Sequence, residues 1–139
     1  MSADLRDVEK IVPEAAKTLD FGQPIALMFL MTLQYIPDSE DPHAIVRRFL
    51  DALAPGSFLV VSDTIIDNGD ETLGESERRM NEGMGGKITQ TRRTPQSIAS
   101  FFDGLEMVEP GLVTLSRWRP GPDEPDHYIP VRCGVARKP

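Results

Sequence analysis

Seven consecutive apolar residues, IALMFLM at positions 25–31, form the longest apolar run of the chain. A strand without a polar face is typical of a parallel sheet that helices cover on both sides. A buried helix is the alternative, but the flanking prolines Pro24 and Pro37 favour a short element. We therefore predict a strand over residues 25–31.

A helix and a second apolar strand are predicted directly after this run. Asp41-Pro42 places a proline at the first helical position, where its missing N–H costs nothing. The apolar residues that follow share one helical face: Ile45, Val46, Phe49, Leu50 and Leu53. Pro55-Gly56 ends the helix, and SFLVVS at 57–62 forms the next strand. Such strand–helix–strand units cross over right-handedly, so the two strands are expected to be parallel neighbours.

The segments on either side add helices and a mobile stretch. Apolar residues at spacings of three and four predict a helix over residues 5–19, which Pro13 is expected to split. Residues 67–86 are acidic and rich in glycine, which predicts a mobile loop region over 66–93 around a short helix at 75–81. Thr94-Pro95 then has the residue types of an N-cap followed by a first helical position.

The last part of the chain predicts two further strands, at 105–115 and 128–136, which form a hairpin. The sequence therefore indicates one α/β domain over residues 1–139. Its expected architecture is a partial Rossmann-like sheet with parallel strands, an antiparallel C-terminal hairpin, and helices on both faces.

Composition and charge exclude several classes of protein. The 15 basic and 22 acidic residues give a net charge of -7, which would repel nucleic-acid phosphates. One cysteine, Cys133, and two histidines far apart in sequence predict no metal site. The longest apolar run has seven residues, against the roughly 20 that a membrane span needs. The charged N-terminus has no secretory pattern, so we expect a cytoplasmic protein that binds neither nucleic acid nor membrane.

Several local motifs are open to a functional interpretation. GMGGK at 83–87 lacks the residues that a phosphate loop needs at positions 81 and 88, so a flexible connector is expected. Arg92-Arg93 could grip an anion, but a solvated pair before a helix is the simpler interpretation. Trp118 could stack on a ligand, whereas a core-capping side chain at a strand end is the more ordinary role. His127 and Tyr128 could act as acid and base, yet nothing nearby in sequence orients them.

The region around the two central strands resembles class I S-adenosylmethionine-dependent methyltransferases. LQYIPD at 33–38 and LAPGSFLVVSD at 53–63 are similar to the patterns "LHHLPD" and "L-KPGG-LVLSD" of that class. ADLRD at 3–7, FFDGL at 101–105, VEPGLV at 108–113 and SRWRP at 116–120 resemble one bacterial family in particular. It is the S-adenosyl methyltransferase family formerly described as a domain of unknown function.

This resemblance implies S-adenosylmethionine as the cofactor. It places Asp4 and Leu5 beside the adenine, with Asp4 accepting a hydrogen bond from the adenine amino group. It also places Met31 and Thr32 near the sulfonium and the substrate.

The resemblance further implies three substrate-facing candidates, Tyr35, Asp38 and Asp63, at the ends of the two central strands. No single catalytic residue is assigned, because methyl transfer needs alignment of the reactants more than acid–base chemistry. A small-molecule substrate is the expected methyl acceptor.

Members of this family are about twice as long as this chain. The glycine-rich turn and the acidic strand end that bind the cofactor in the first half of that fold have no counterpart in this sequence. Strand 25–31 would then lose one neighbour and leave an apolar edge that pairs with another chain. We expect a homodimer or a complementing chain at this edge.

Two other interpretations remain open from the sequence. One is a non-catalytic interaction module that binds itself or a partner through the edge of strand 25–31. The other is a small-ligand binding protein that uses the crevice beside Asp4 and Thr32.

Overall fold

The computed structural model describes residues 2–66, Arg79 and residues 90–139. The predicted short helix at 75–81, apart from Arg79, and the glycine cluster at 83–87 lie outside the described residues. Within these residues, no helix is long and apolar enough to cross a membrane.

Strands of the described chain form one mixed sheet, which confirms the predicted α/β fold class. Strand β1 (Ala26–Leu30) pairs in parallel with β2 (Phe58–Thr64), and β2 pairs antiparallel with β5 (Val131–Arg137). Two short strands, β3 (Glu106–Met107) and β4 (Val113–Thr114), pair antiparallel with β5. The order across the sheet is β1-β2-β5-β3, with β4 also on β5. Strand β1 is therefore an edge strand in the described structure.

The apolar run forms a strand, as predicted, but its two faces differ in burial. Phe29 is buried and packs edge-on against Phe49 at a centroid distance of 5.8 Å. On the opposite face, Met28 is 55% exposed and Leu30 is 51% exposed. The prediction that both faces of this strand are covered is wrong for the described residues, because the core lies against only one of them.

The helices begin where their capping residues predict. Helix α2 (Pro42–Asp51) starts after Asp41, whose Oδ1 accepts from the Ala44 amide at 3.2 Å. Helix α3 (Pro95–Ala99) starts after Thr94, whose hydroxyl accepts from the Ser97 amide at 3.1 Å. Side-chain acceptors of this kind satisfy amides of the first turn that have no partner within the helix.

Helix α1 (Val8–Ala15) is shorter than the predicted 5–19, and Pro13 lies inside it. The prediction that Pro13 splits the helix is wrong. Proline removes one amide donor from a helix, which makes an interior position unfavourable but not impossible. The amide of Ala16 still donates to Val12 at 3.0 Å, so the helical turn continues past the proline.

The predicted strand at 105–115 is two short strands, β3 and β4, separated by a turn. Pro110 has no amide to donate to a ladder, and Gly111 has φ 83°, a left-handed conformation that suits glycine. The Gly111 amide closes the turn by donating to the carbonyl of Val108 at 2.8 Å. Both strands still pair with β5, so the predicted antiparallel end of the sheet is confirmed.

The hydrophobic core lies between one face of the sheet and the helices. Leu59 and Val61 of β2 are fully buried there, together with Val46 of α2 and Ile98 of α3. A 3-10 turn, Ser100–Phe102, adds Phe101 and Phe102. The carboxyl ends of β1 and β2 lie together at one edge of the sheet, called the carboxyl edge below.

Candidate functional site

The chain reverses sharply at the carboxyl end of β1. Met31 adopts φ 59°, a left-handed conformation that is uncommon for a residue other than glycine. Its amide donates to the Ser62 carbonyl at 2.9 Å, so the reversal is attached to the neighbouring strand. A 3-10 turn, Leu33–Tyr35, follows, and it leaves Thr32 and Tyr35 exposed while Leu33 is buried. Strained backbone of this kind is concentrated at functional sites.

A cleft of about 490 Å³, called the β1 cleft below, opens beside this reversal. It brings together Asp4, Leu5, Thr32 and Tyr35, four of the residues that the sequence analysis singled out. Apolar side chains from α1, α2 and β1 form much of its wall: Ile11, Leu27, Met28, Phe29 and Phe49. Ligand pockets commonly have volumes of 300–1,000 Å³ with mostly apolar walls and a few polar groups. Met31 is adjacent in sequence but does not line the cleft.

Asp4 is the acidic group of this cleft and is held by its neighbour Arg6. Oδ1 accepts from the Arg6 amide at 2.9 Å and from Arg6 Nη1 at 3.1 Å. These bonds, first that from the backbone amide, hold the pKa of Asp4 below its usual value. The side chain of Arg6 also pairs with Glu40. Asp4 is thus an ionised acceptor at neutral pH, with oxygen lone pairs left for a further donor.

Asp38 and Arg93 form an ion pair below the cleft, with Arg93 Nε 3.1 Å from Asp38 Oδ1. The side chain of Arg93 is only 2% exposed, whereas that of Asp38 is 72% exposed. The remaining guanidinium nitrogens donate to the carbonyls of Leu33, at 2.9 Å, and Ile36. Arg93 therefore fastens the turn that carries Tyr35.

The interpretation of Arg92-Arg93 as a solvated pair is wrong for Arg93. The backbone of Arg93 is hydrogen-bonded as well, since its carbonyl accepts from the Ile66 amide at 2.9 Å. The fork of three guanidinium nitrogens suits several acceptors at once, which explains why arginine occupies this buried position. Sequence alone gave no signal for this role, because the acceptors are backbone carbonyls about 60 residues away.

Asp63 lies one position before the end of β2 and is fully buried rather than open to the β1 cleft. Its Oδ1 accepts from the Thr64 amide at 3.0 Å, and Oδ2 has no partner among the described residues. Burial raises the pKa of Asp63 to about 6, while backbone hydrogen bonds and the charge of Arg93 partly oppose this. A buried carboxylate with an unsatisfied oxygen is costly and is found most often near functional sites.

Other candidates of the sequence analysis lie elsewhere. Trp118 is half-buried, and the Arg119 guanidinium stacks over its ring at 4.9 Å. His127 is exposed and contacts the carbonyl of Pro125 at 3.2 Å. In the described part of the chain, no group of three His, Cys, Asp or Glu side chains could hold a metal ion.

Solved structures that are similar to this chain include methyltransferases. A family model described as S-adenosyl methyltransferase matches residues 1–139. A crystal structure of a DUF574 family protein from Streptomyces avermitilis is 33% identical with a TM-score of 0.88, over 100% of this chain and 54% of that one. A putative methyltransferase from Thermobifida fusca is 34% identical with a TM-score of 0.82, over 99% and 53%. No curated protein matches the chain.

More distant structures agree on the fold alone. A SAM-dependent methyltransferase from Anabaena variabilis is 11% identical with a TM-score of 0.60, over 99% of this chain and 57% of that one. The mixed sheet and its carboxyl-edge cleft thus define a class I methyltransferase fold. The chain belongs to the S-adenosyl methyltransferase family and spans about half the length of the similar structures.

Proposed function

We propose that this chain supplies the adenine-facing half of a cofactor site in an S-adenosylmethionine-dependent methyltransferase. The observation that carries the proposal is the gathering of Asp4, Leu5 and Thr32 in one open cleft beside the strained end of β1. When bound, the cofactor supplies an electrophilic methyl group on its sulfonium. The residues of this chain bind and orient it.

The β1 cleft fits the adenosine part of the cofactor. Its apolar walls, including Leu5 and Ile36, suit a flat aromatic ring, and the ionised Asp4 suits an exocyclic amino group. Thr32, which lines the same cleft, provides a hydroxyl toward the reacting centre. Among the described residues, the cleft contains no glycine-rich turn for the methionine part, so a second segment has to complete the site.

The edge of β1 is the place where we propose that this second segment pairs. Its backbone donors and acceptors on the side away from β2 have no strand partner in the described structure. The apolar side chains beside it, Met28 and Leu30, are half exposed. An edge of this kind pairs readily with another strand, supplied by a second copy or by a complementing chain. This feature also favours the second candidate function, an interaction module without catalysis.

Calorimetric titration with S-adenosylhomocysteine, the demethylated cofactor, tests the first candidate. Because the chain supplies half of the site, we expect weak but saturable binding that D4A weakens about tenfold or more, since a hydrogen bond to a charged acceptor is lost. E14Q is the matched control, because Glu14 is an exposed acid that pairs with Lys17 on α1, away from the cleft. Equal weakening in both variants, or no heat with either wild type or variants, contradicts the proposal.

Sedimentation velocity tests the second candidate. We expect a concentration-dependent dimer that M28K disrupts, because a charge on the β1 face opposes pairing. M107K is the matched control, since Met107 is also an exposed methionine (41%) but lies at the opposite edge of the sheet. A monomer at every concentration contradicts pairing between copies of the chain.

A further inference from the structure

A second pocket of about 400 Å³ lies at the same carboxyl edge, on the side of the sheet away from β1. It is lined by Thr114, Ser116, Arg117, Asp126, Tyr128 and Arg132. In the strand register, Arg132 lies opposite Asp63 of β2 and opposite Thr114 of β4. The pocket, called the Arg132 pocket below, therefore opens beside the end of β2, within two strands of the reversal at Met31.

The charges in this pocket do not cancel. Arg117 pairs with Asp126, its Nη2 lying 3.2 Å from Oδ2. Arg132 has no carboxylate within ion-pair distance among the described residues, and its Nη1 donates to the Thr114 hydroxyl at 3.1 Å. A half-buried guanidinium without an acid partner is unusual in a chain with a net charge of -7.

Hydrogen-bond donors in the pocket also lack acceptors. Nε of Arg132 and the hydroxyl of Ser116 are buried, and neither has a partner in the described part of the chain. Buried donors without acceptors are destabilising, and they are satisfied when an oxygen-rich ligand enters. An arginine fork beside a hydroxyl matches the oxygen geometry of a carboxylate or a phosphate.

We propose that the Arg132 pocket binds an oxyanion, the carboxylate or phosphate group of the methyl acceptor. The assignment of the anion to the methyl acceptor rests on the proposed function, whereas anion binding itself does not. The pocket would hold one end of a small acidic molecule while another part of that molecule reaches Thr32. Because the anion is bound away from the cofactor, it positions the acceptor and selects for acidic substrates.

Nitrogen-resolved NMR titration of the chain tests this proposal, with inorganic phosphate and acetate as probes at constant ionic strength. We expect a saturable shift of the Arg132 Nε–H and of the Ser116 amide with at least one of the two anions. The anion with the lower dissociation constant shows whether the pocket prefers a phosphate or a carboxylate. R132Q should weaken that binding about tenfold or more, since a charged hydrogen-bond donor is lost.

R137Q is the matched control, because Arg137 lies on the same strand but pairs with Glu106 outside the pocket. It should bind the anion as wild type does. R132K keeps the charge without the fork, and we expect it to retain part of the affinity. Absence of saturable binding to both anions, or an equal loss in R137Q, overturns the proposal. Titration of R132Q with S-adenosylhomocysteine separates the two hypotheses, since the β1 cleft is intact in that variant.

Discussion

Arg93 donates from Nη1 to the carbonyl of Leu33 at 2.9 Å, and this bond helps to join the segment before α3 to the turn after β1. The same guanidinium reaches Ile36 and Asp38, and it lies 5.7 Å from the ring centroid of Phe101. A buried arginine thereby fixes the shape of one wall of the β1 cleft. The position of Tyr35 thus depends on a residue that does not itself line the cleft but holds the backbone of Ile36, which does.

R93M should strongly destabilise the protein. It leaves the carbonyls of Leu33 and Ile36 without their side-chain donor, and each buried acceptor that loses its partner costs about 1–3 kcal/mol. Hydrogen exchange should accelerate at the amides of Tyr35 and Ile36, and denaturant unfolding gives the free energy. D38N is the control, because the exposed carboxylate of Asp38 contributes about 1 kcal/mol or less. Similar losses in both variants would show that the ion pair, rather than the carbonyl bonds, matters.

D63N should change how stability depends on pH. Because folding raises the pKa of Asp63 from 3.8 to about 6, the buried acid imposes no cost below pH 3.8. Stability is lost as the pH rises between these values, and the whole loss is about 3 kcal/mol. The asparagine variant lacks this dependence, so its advantage over wild type should grow from pH 4 to pH 7. Parallel pH profiles of the two unfolding free energies would contradict the assignment.

G56A should destabilise the turn between α2 and β2. Gly56 has φ 88°, and a side chain in that conformation costs about 1–2 kcal/mol. A new Cβ would in addition lie 3.4 Å from the ring of Pro24. G121A is the matched control, since Gly121 lacks a positive φ and its Cβ would make only ordinary contacts with Glu124. Thermal unfolding of the two variants checks the difference.

Cys133 should react slowly with thiol reagents in the folded protein. It is buried in β5, and burial raises the pKa of its thiol, which lowers the reactive thiolate fraction. The rate of modification should therefore be limited by opening of the central sheet and not by collision of the reagent with the folded protein. Labelling rates in native buffer and in denaturant measure this, and equal rates would show that the strand is open to solvent.

Patterns that depend on nearby residues predicted the fold well. The caps at Asp41 and Thr94 and the parallel pair of β1 and β2 follow from residue types at short spacing, whereas the family came from the resemblance of several motifs to known proteins. The family resemblance also pointed to Asp4, Leu5, Thr32 and Tyr35, which the structure brings into one cleft.

Interactions between distant parts of the chain were not readable in this way. The burial of Arg93 depends on carbonyls in another segment, and carbonyls have no signature in a sequence. The Arg132 pocket likewise depends on strand register, which places Thr114 and Arg132 side by side although they are 18 residues apart. The half-exposed face of β1 depends on which other elements pack against it, and the seven apolar residues of the run do not specify those elements.

The sheet order has a consequence for how the protein is made. Strand β5 is the last strand in the chain, yet it lies between β2 and the short strands β3 and β4. During synthesis, β5 therefore leaves the ribosome after the strands that flank it in the sheet. Until Val131–Arg137 emerges, β2 has no strand partner on the side away from β1 in the described sheet, so both flanks of the β1–β2 pair expose unpaired backbone groups, which favours aggregation of a nascent chain.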